Sequence, residues 1–287
     1  MALRDIGNDL SNFHILKYAG RVDGYLATSK NSGTHWLRFI LSAAIAHRLG
    51  LPAPERSSGP DSDTFIGHPR HRKIHANAPR IGSSHNIPSR LVTLLAGLGL
   101  MRLPPTVVLV RDIREALLSY YVKWREPYGL GELSDFVRRP APGRRKVEDL
   151  WWFVRFFNRW GGLARATPER VLVVRYEDVE YDPATWIRRI WAHWGVELAD
   201  ADVQAALAVS SRQVLAARLD PEHGEAVVSD AGARAAVRLS AADEAEVQRV
   251  LDGHLISSFG YSGPASLPRI RRQVRASPSR RAGSTAL

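Results

Sequence analysis

Residues 28–39 read Thr-Ser-Lys-Asn-Ser-Gly-Thr-His-Trp-Leu-Arg-Phe, small and hydroxyl-bearing letters placed between an apolar run and a helical pattern. Such a loop can hold an anion. Backbone N–H groups after Gly33 and the positive end of the following helix would point at it, Ser32, Thr34 and His35 add side-chain donors, and Lys30 adds charge. The nucleoside triphosphate loop G-x-x-x-x-G-K-[ST] is not spelled here, because the single Gly33 is followed by Thr34 and the lysine comes before it. A kinase using ATP therefore starts at a disadvantage. Ordinary capping of a helix by Ser32 or Thr34 accounts for the same letters, so the loop alone leaves both readings open. A second anion site is offered by Arg111, which closes an apolar run, and by Ser119, eight residues on. The guanidinium presents a planar fork suited to phosphate, and the serine lies two helical turns further. Arg111 could instead be ion-paired with Asp112, Glu115 or Glu177.

The elements that must position these groups form an alternating pattern. Gly24–Thr28, Thr106–Arg111 and Arg170–Glu177 are unbroken apolar, β-branched runs of the kind found in parallel strands buried on both faces. Each precedes a helical pattern: Thr34–Gly50, Arg114–Trp124 and Asp182–Gly195, the last with Asp182 as cap and Pro183 at its first position. This order predicts an α/β chain, a three-layer domain with a mainly parallel central sheet flanked by helices. Ser57–Arg80 reads as a long loop and a candidate lid, and the aromatic-rich segment Val147–Ala166 as a helix buried between other elements. The stretch Leu91–Met101 is too short for a membrane span.

The chain has 287 residues, 45% of them hydrophobic, enough for a substantial core, and no cysteine, which excludes disulfides, thiolate ligands and a cysteine nucleophile. No secretory signal is recognisable at the start, so the expected compartment is the cytoplasm. The formal net charge is +11, but six arginines of the segment Pro268–Leu287 supply over half of it. Residues 1–265 are thus read as one domain and 266–287 as a basic, disordered tail. A nucleic-acid partner is not expected, except through that tail. His68, His71 and His75 have a loose zinc-like spacing among basic neighbours Arg70, Arg72 and Lys73, and no metal is expected there.

Taken together, four segments resemble the cytosolic-type sulfotransferases. "TSKNSGTHW" is similar to their 5'-phosphosulfate loop T-Y-P-K-S-G-T-T-W, and "VVLVRDIREALLSYYVKW" to their 3'-phosphate motif R-N-P-K-D-V-x-V-S-Y-Y. "VLVVRYEDVEYDPATWIRRIWAHWGVEL" resembles the segment Y-E-D-x-x-x-D-P with its helix, and "APRIGSSHNIP" the segment P-R-I-x-K-T-H-L-P that carries the family's histidine. The resemblance spans roughly residues 20 to 265. It implies a P-loop-like domain and 3'-phosphoadenosine 5'-phosphosulfate as co-substrate, without a metal. The acceptor would be a hydroxyl of a small molecule or glycoside.

On this resemblance His85 is the general base, and Lys30, Thr34 and the loop N–H groups neutralise the leaving group. Lys30, Asn31, Ser32, Gly33, Thr34 and His35 would hold the phosphosulfate, and Arg111 with Ser119 the 3'-phosphate. Trp36 would stack on adenine, unless it is core, and Tyr176 and Ser211 fall at further adenine-side positions. Three departures stand out. Asn31 occupies the place of the family's catalytic lysine and Lys30 that of its proline. Ser83 replaces a lysine two residues before the histidine, in a segment one residue longer. The R-K-G loop for the 3'-phosphate is replaced by Ala226–Ser240, where Arg234 or Arg238 could substitute. A catalytically impaired nucleotide- or nucleic-acid-binding protein is the contrasting reading.

Overall fold

The computed structural model describes residues 20–138, 147–218 and 236–261. Five parallel strands form one sheet: β1 (Gly24–Thr28), β2 (Ile66–Gly67), β3 (Ile81–Ser84), β4 (Thr106–Val110) and β5 (Val171–Arg175), in the order β2-β3-β1-β4-β5. The two central strands β1 and β4 are buried at every position, as their uninterrupted apolar runs require. Strand β5 ends at Arg175, earlier than the run of β-formers suggests, and Tyr176 opens a helix instead. As the last strand of the sheet, β5 leaves Leu172, Val173 and Arg175 partly exposed, so two-sided burial fails there.

Alternate residues of the strands feed two separate cores. Tyr25, Ala27, Val108 and Val110 pack on one face with Tyr120, Phe153, Phe157 and Trp160. Leu26, Val107 and Leu109 pack on the other with Leu37, Ile40, Ile187 and Trp191. This period of two, with helices over both faces, is what makes three layers. The helices are α1 (Thr34–Leu49), α2 (Arg90–Gly97), α3 (Ile113–Tyr128), α4 (Leu133–Arg138), α5 (Leu150–Ala166), α6 (Tyr176–Tyr181), α7 (Pro183–His193), α8 (Asp200–Ala208), α9 (Arg212–Ala217) and α10 (Ala241–His254). Side-chain caps set several of their starts: Asp112 accepts from the N–H groups of Arg114 and Glu115 at 2.9 and 3.2 Å, Asp149 from Trp152 at 3.0 Å, and Asp182 from Thr185 at 3.1 Å.

The segment expected as one long loop, residues 57–80, is partly ordered into regular structure. Pro60–Asp63 form a turn of 3-10 helix and Ile66–Gly67 pair with β3. Arg80 fastens this segment from inside, its guanidinium donating to the carbonyls of Phe65, Ile81 and His68 at 3.2, 3.1 and 2.9 Å. The short strands β2 and β3 escape sequence reading because two to four residues with glycine and serine carry little β signal. Strand β1 has β3 on one side and β4 on the other, so the chain leaves it in both directions. A crevice opens at the carboxyl ends of strands at such a switch point.

Candidate active site

Four carboxyl-terminal strand ends deliver the side chains to this crevice: Thr28 from β1, Ser84 and His85 from β3, Arg111 after β4 and Tyr176 after β5. Between β1 and α1 the loop turns through left-handed residues, Asn31 at φ 54° and Gly33 at φ 84°. Gly33 is required twice over. A Cβ there would meet the Tyr176 ring at 2.6 Å, and the left-handed backbone itself disfavours a side chain. No side chain caps α1, which resolves the alternative left open by the letters of the loop. Ser32 instead donates its hydroxyl to the Ser29 carbonyl at 2.6 Å, and Thr34 to Thr28 Oγ1 at 3.0 Å. The positive end of α1 therefore carries no side-chain cap, an arrangement that can accept an anion.

Arg111 lies under the same loop. Its Nη1 donates to the Asn31 carbonyl at 3.2 Å, and its guanidinium sits 4.9 Å from the centre of the Tyr176 ring. Of the acidic residues considered as its partners, only Glu115 approaches, at 3.7 Å on the next turn of α3 and half exposed to water. Asp112 is occupied as the cap of α3, and Glu177 accepts from the Asp112 N–H at 3.2 Å and from the Tyr261 hydroxyl. Asn31 Nδ2 donates to Ser119 Oγ at 3.2 Å, joining the loop to helix α3. Tyr176 meets Trp36 edge to face, with ring centres 5.7 Å apart. The Trp36 indole N–H donates to the Ser210 carbonyl at 2.8 Å.

His85 stands at the opposite rim of the loop. Its Nδ1 lies 2.9 Å from the Thr28 carbonyl oxygen and 2.9 Å from Thr28 Oγ1. A carbonyl oxygen can only accept, so Nδ1 carries the hydrogen and the lone pair is on Nε2. Burial, then the charge of Lys30, push the imidazole down to about 3 against the Thr28 hydrogen bond, with smaller contributions from His35 and Arg38. The neutral ring is therefore the resting form near neutral pH.

Lys30 departs most from expectation. Its Nζ lies 3.3 Å from Glu148 Oε1, and the other carboxylate oxygen accepts from the Tyr120 hydroxyl at 2.5 Å. Burial and the bond to Glu148 raise the Tyr120 phenol, so it remains a proton donor to that carboxylate. Sequence reasoning missed Glu148 and Tyr120 because they lie far from Lys30 along the chain. A lone glutamate before a helix carries no signal.

Beside His85 a pocket of about 430 Å³ opens. Helix α1 contributes Thr34 and Arg38, the segment after the 3-10 turn Asp63 and His68, and the end of β3 contributes Ser83, Ser84 and Asn86. Arg38 is held by Asp63 and donates to the Ile66 and Ser62 carbonyls at 2.9 and 3.0 Å. His71 Nδ1 lies 2.7 Å from Asp63, a carboxylate that the spacing of the three histidines did not reveal. His75 turns away to stack on Phe65 with ring centres 5.5 Å apart. Among the described residues no group of three or more acidic, histidine or cysteine side chains gathers as a metal site.

Two further expected binding residues lie at the surface. Ser211 is exposed and caps α9, accepting from the Val214 N–H at 3.2 Å, while its neighbour Ser210 is the residue that contacts Trp36. Arg238 is exposed. Arg234, most of the segment 226–240 and the tail 266–287 lie outside the described residues.

The family model for the sulfotransferase domain matches residues 22–217, and the chain belongs to that family. Among solved structures it is similar to mouse sulfotransferase SULT7A1 complexed with PAP, with a TM-score of 0.49 at 13% identity over 83% of this chain and 86% of that one. It is likewise similar to retinol dehydratase in complex with androsterone and inactive cofactor PAP, with a TM-score of 0.49 at 13% identity over 81% and 80%. No curated protein matches the sequence. At this distance the roles of individual residues rest on the geometry of this chain. Among the described residues no helix is long and apolar enough to cross a membrane.

Proposed function

We propose that this chain moves a sulfuryl group from 3'-phosphoadenosine 5'-phosphosulfate to a hydroxyl of a small-molecule or glycoside acceptor, with His85 as general base. The observation that carries this reading is the His85–Thr28 contact. It holds an uncharged imidazole, with its lone pair on Nε2, at the edge of the loop that would hold the phosphosulfate. In the reaction Nε2 takes the acceptor's hydroxyl proton as the acceptor oxygen bonds to sulfur. The bond from sulfur to the bridging oxygen breaks, and adenosine 3',5'-bisphosphate leaves. The uncapped end of α1, Thr34 and Lys30 would stabilise charge on that leaving oxygen. Arg111 and Ser119 would take the 3'-phosphate and Trp36 and Tyr176 the adenine side.

A second reading, a nucleotide-binding protein without turnover, is favoured by one observation. Asn31 stands at the position of the family's lysine, and the neighbouring Lys30 is tied to Glu148. Calorimetric titration with adenosine 3',5'-bisphosphate, ADP and AMP, repeated on Arg111→Ala, tests the donor site. Selective binding of the bisphosphate that is lost in the variant supports it, and equal binding of all three rejects it. Turnover of the sulfated donor by the unaltered protein, abolished in His85→Ala, then separates the enzyme from the binding protein.

A further inference from the structure

The pocket beside His85 is lined by side chains that all carry polar groups: Arg38, Asp63, His68, Ser83, Ser84 and Asn86 surround the histidine, with Thr34 at the loop. Small-molecule pockets are normally lined mainly by apolar and aromatic side chains with a few polar groups among them. Here, among the described residues, no aliphatic or carbocyclic aromatic side chain lines the cavity.

Arg38, Asp63 and Ser84 are also held in place rather than swinging freely. Arg38 is anchored to two carbonyls and to Asp63, and Asp63 is gripped on its far side by His71. Ser84 is fixed by the Tyr25 hydroxyl at 2.5 Å and receives the Asn86 N–H at 3.1 Å, while the Trp160 indole donates to the Asn86 carbonyl at 3.0 Å. The backbone that presents Asn86 is therefore pinned from two sides. A fixed wall of donors and acceptors discriminates strongly, because an acceptor without matching groups would strip water from them and return no hydrogen bonds.

From this wall we infer that the acceptor is a hydroxyl-rich molecule, a monosaccharide or other polyol, rather than a sterol, a retinoid or a simple phenol. The inference rests on the proposed sulfuryl transfer and adds the class of acceptor to it. The volume of about 430 Å³ lies in the range of small-molecule pockets and leaves room for a monosaccharide; the choice among acceptors rests on the polar lining. One hydroxyl of the acceptor would face His85 while its others replace water on Asp63, Arg38 and Asn86.

The test has two stages, so that the two ideas fail separately. Calorimetry with adenosine 3',5'-bisphosphate first establishes the donor site; no binding there removes the transfer reading, and this inference with it. Once that binding is established, turnover of the sulfated donor, with no bisphosphate added, is measured for methyl glucoside, methyl galactoside and inositol against 2-naphthol and a 3-hydroxysteroid. The expected result is a kcat/KM at least about 100-fold higher for one of the hydroxyl-rich acceptors. Asn86→Leu should narrow that gap at least about tenfold while leaving bisphosphate affinity within about twofold. Asp63→Asn, which keeps the side-chain shape, provides the same comparison if Asn86→Leu does not fold. Preferential sulfation of naphthol or the steroid overturns the inference. So does failure of every hydroxyl-rich acceptor in a protein that sulfates naphthol or the steroid, whereas binding of the bisphosphate with no turnover of any acceptor rejects the transfer reading instead.

Discussion

Lys30 reaches out of the loop to Glu148, Nζ to Oε1 3.3 Å, and Tyr120 holds the other oxygen of the same carboxylate. A carboxylate beside a site for a multiply anionic donor is repulsive unless a cation accompanies it. Lysine can donate three hydrogen bonds, so Glu148 can hold the ammonium while another of its hydrogens faces the donor. The shift of the lysine by one residue from the family's position is thus met by a different anchor. Glu148→Gln is expected to lower kcat on the order of 10- to 100-fold by letting the ammonium wander, with bisphosphate affinity changed far less. Steady-state kinetics and calorimetry on Glu148→Gln and Lys30→Ala check this. A variant with unaltered kcat would show that the pair is only structural.

His85→Ala should lower kcat by about 10²- to 10⁴-fold, the range for loss of a general base, while the bisphosphate still binds. Unchanged turnover would remove His85 from the mechanism. The pH dependence has a definite sign. Because the folded imidazole sits at about 3, below the ordinary value, the unfolded chain takes up its proton first as the pH falls. The resulting loss of stability is absent above the unfolded value and grows as the pH drops from about 6.5 towards 3. Denaturant unfolding at pH 7.5 and 4.5 should show a smaller acid loss in His85→Asn than in the parent. For kcat/KM, His85 in the free enzyme should produce no acid limb near pH 6.5.

Gly33→Ala should be poorly tolerated. The left-handed backbone at φ 84° and the Tyr176 ring 2.6 Å from the added Cβ both oppose it. The expected cost is about 1 to 3 kcal/mol of stability, with displacement of the ring from Arg111. Thermal unfolding and bisphosphate titration measure the two effects. A variant with parental stability and affinity would mean that the loop can relax without loss.

Arg111→Ala should weaken the bisphosphate by roughly 10- to 100-fold, the worth of a hydrogen-bonded charge, and weaken ADP much less. Arg111→Lys should recover only part of this, because lysine lacks the planar fork. Equal losses for both nucleotides would place Arg111 away from the 3'-phosphate.

Much of the architecture was written in local patterns. The strands at residues 24–28 and 106–110 are apolar throughout because both faces are covered, and Asp182 with Pro183 marks a helix start that the structure reproduces. Strand β5 is shorter than its β-forming run because Tyr176 and Glu177, though strand-like in type, lie past the end of the pairing ladder. Strands β2 and β3 are held by long-range pairing and by Arg80 inside the segment, neither of which leaves a periodic trace.

For the site, the order and types of residues were sufficient to bring forward the loop at 28–36, Arg111, Ser119, His85 and Tyr176. Each is a motif read along a continuous stretch of chain, and motifs at strand ends meet wherever parallel strands align. Partnership was another matter. That Asn31 bonds to Ser119, that Lys30 answers to Glu148, and that Asp63 holds both Arg38 and His71 all depend on residues apart in sequence meeting within a few ångströms. Composition determined which groups were available to bind anions and move protons. Only the packing of the three layers decided which charges neutralise one another and which remain for a ligand, because Coulomb and hydrogen-bond energies depend on separation in space and not along the chain.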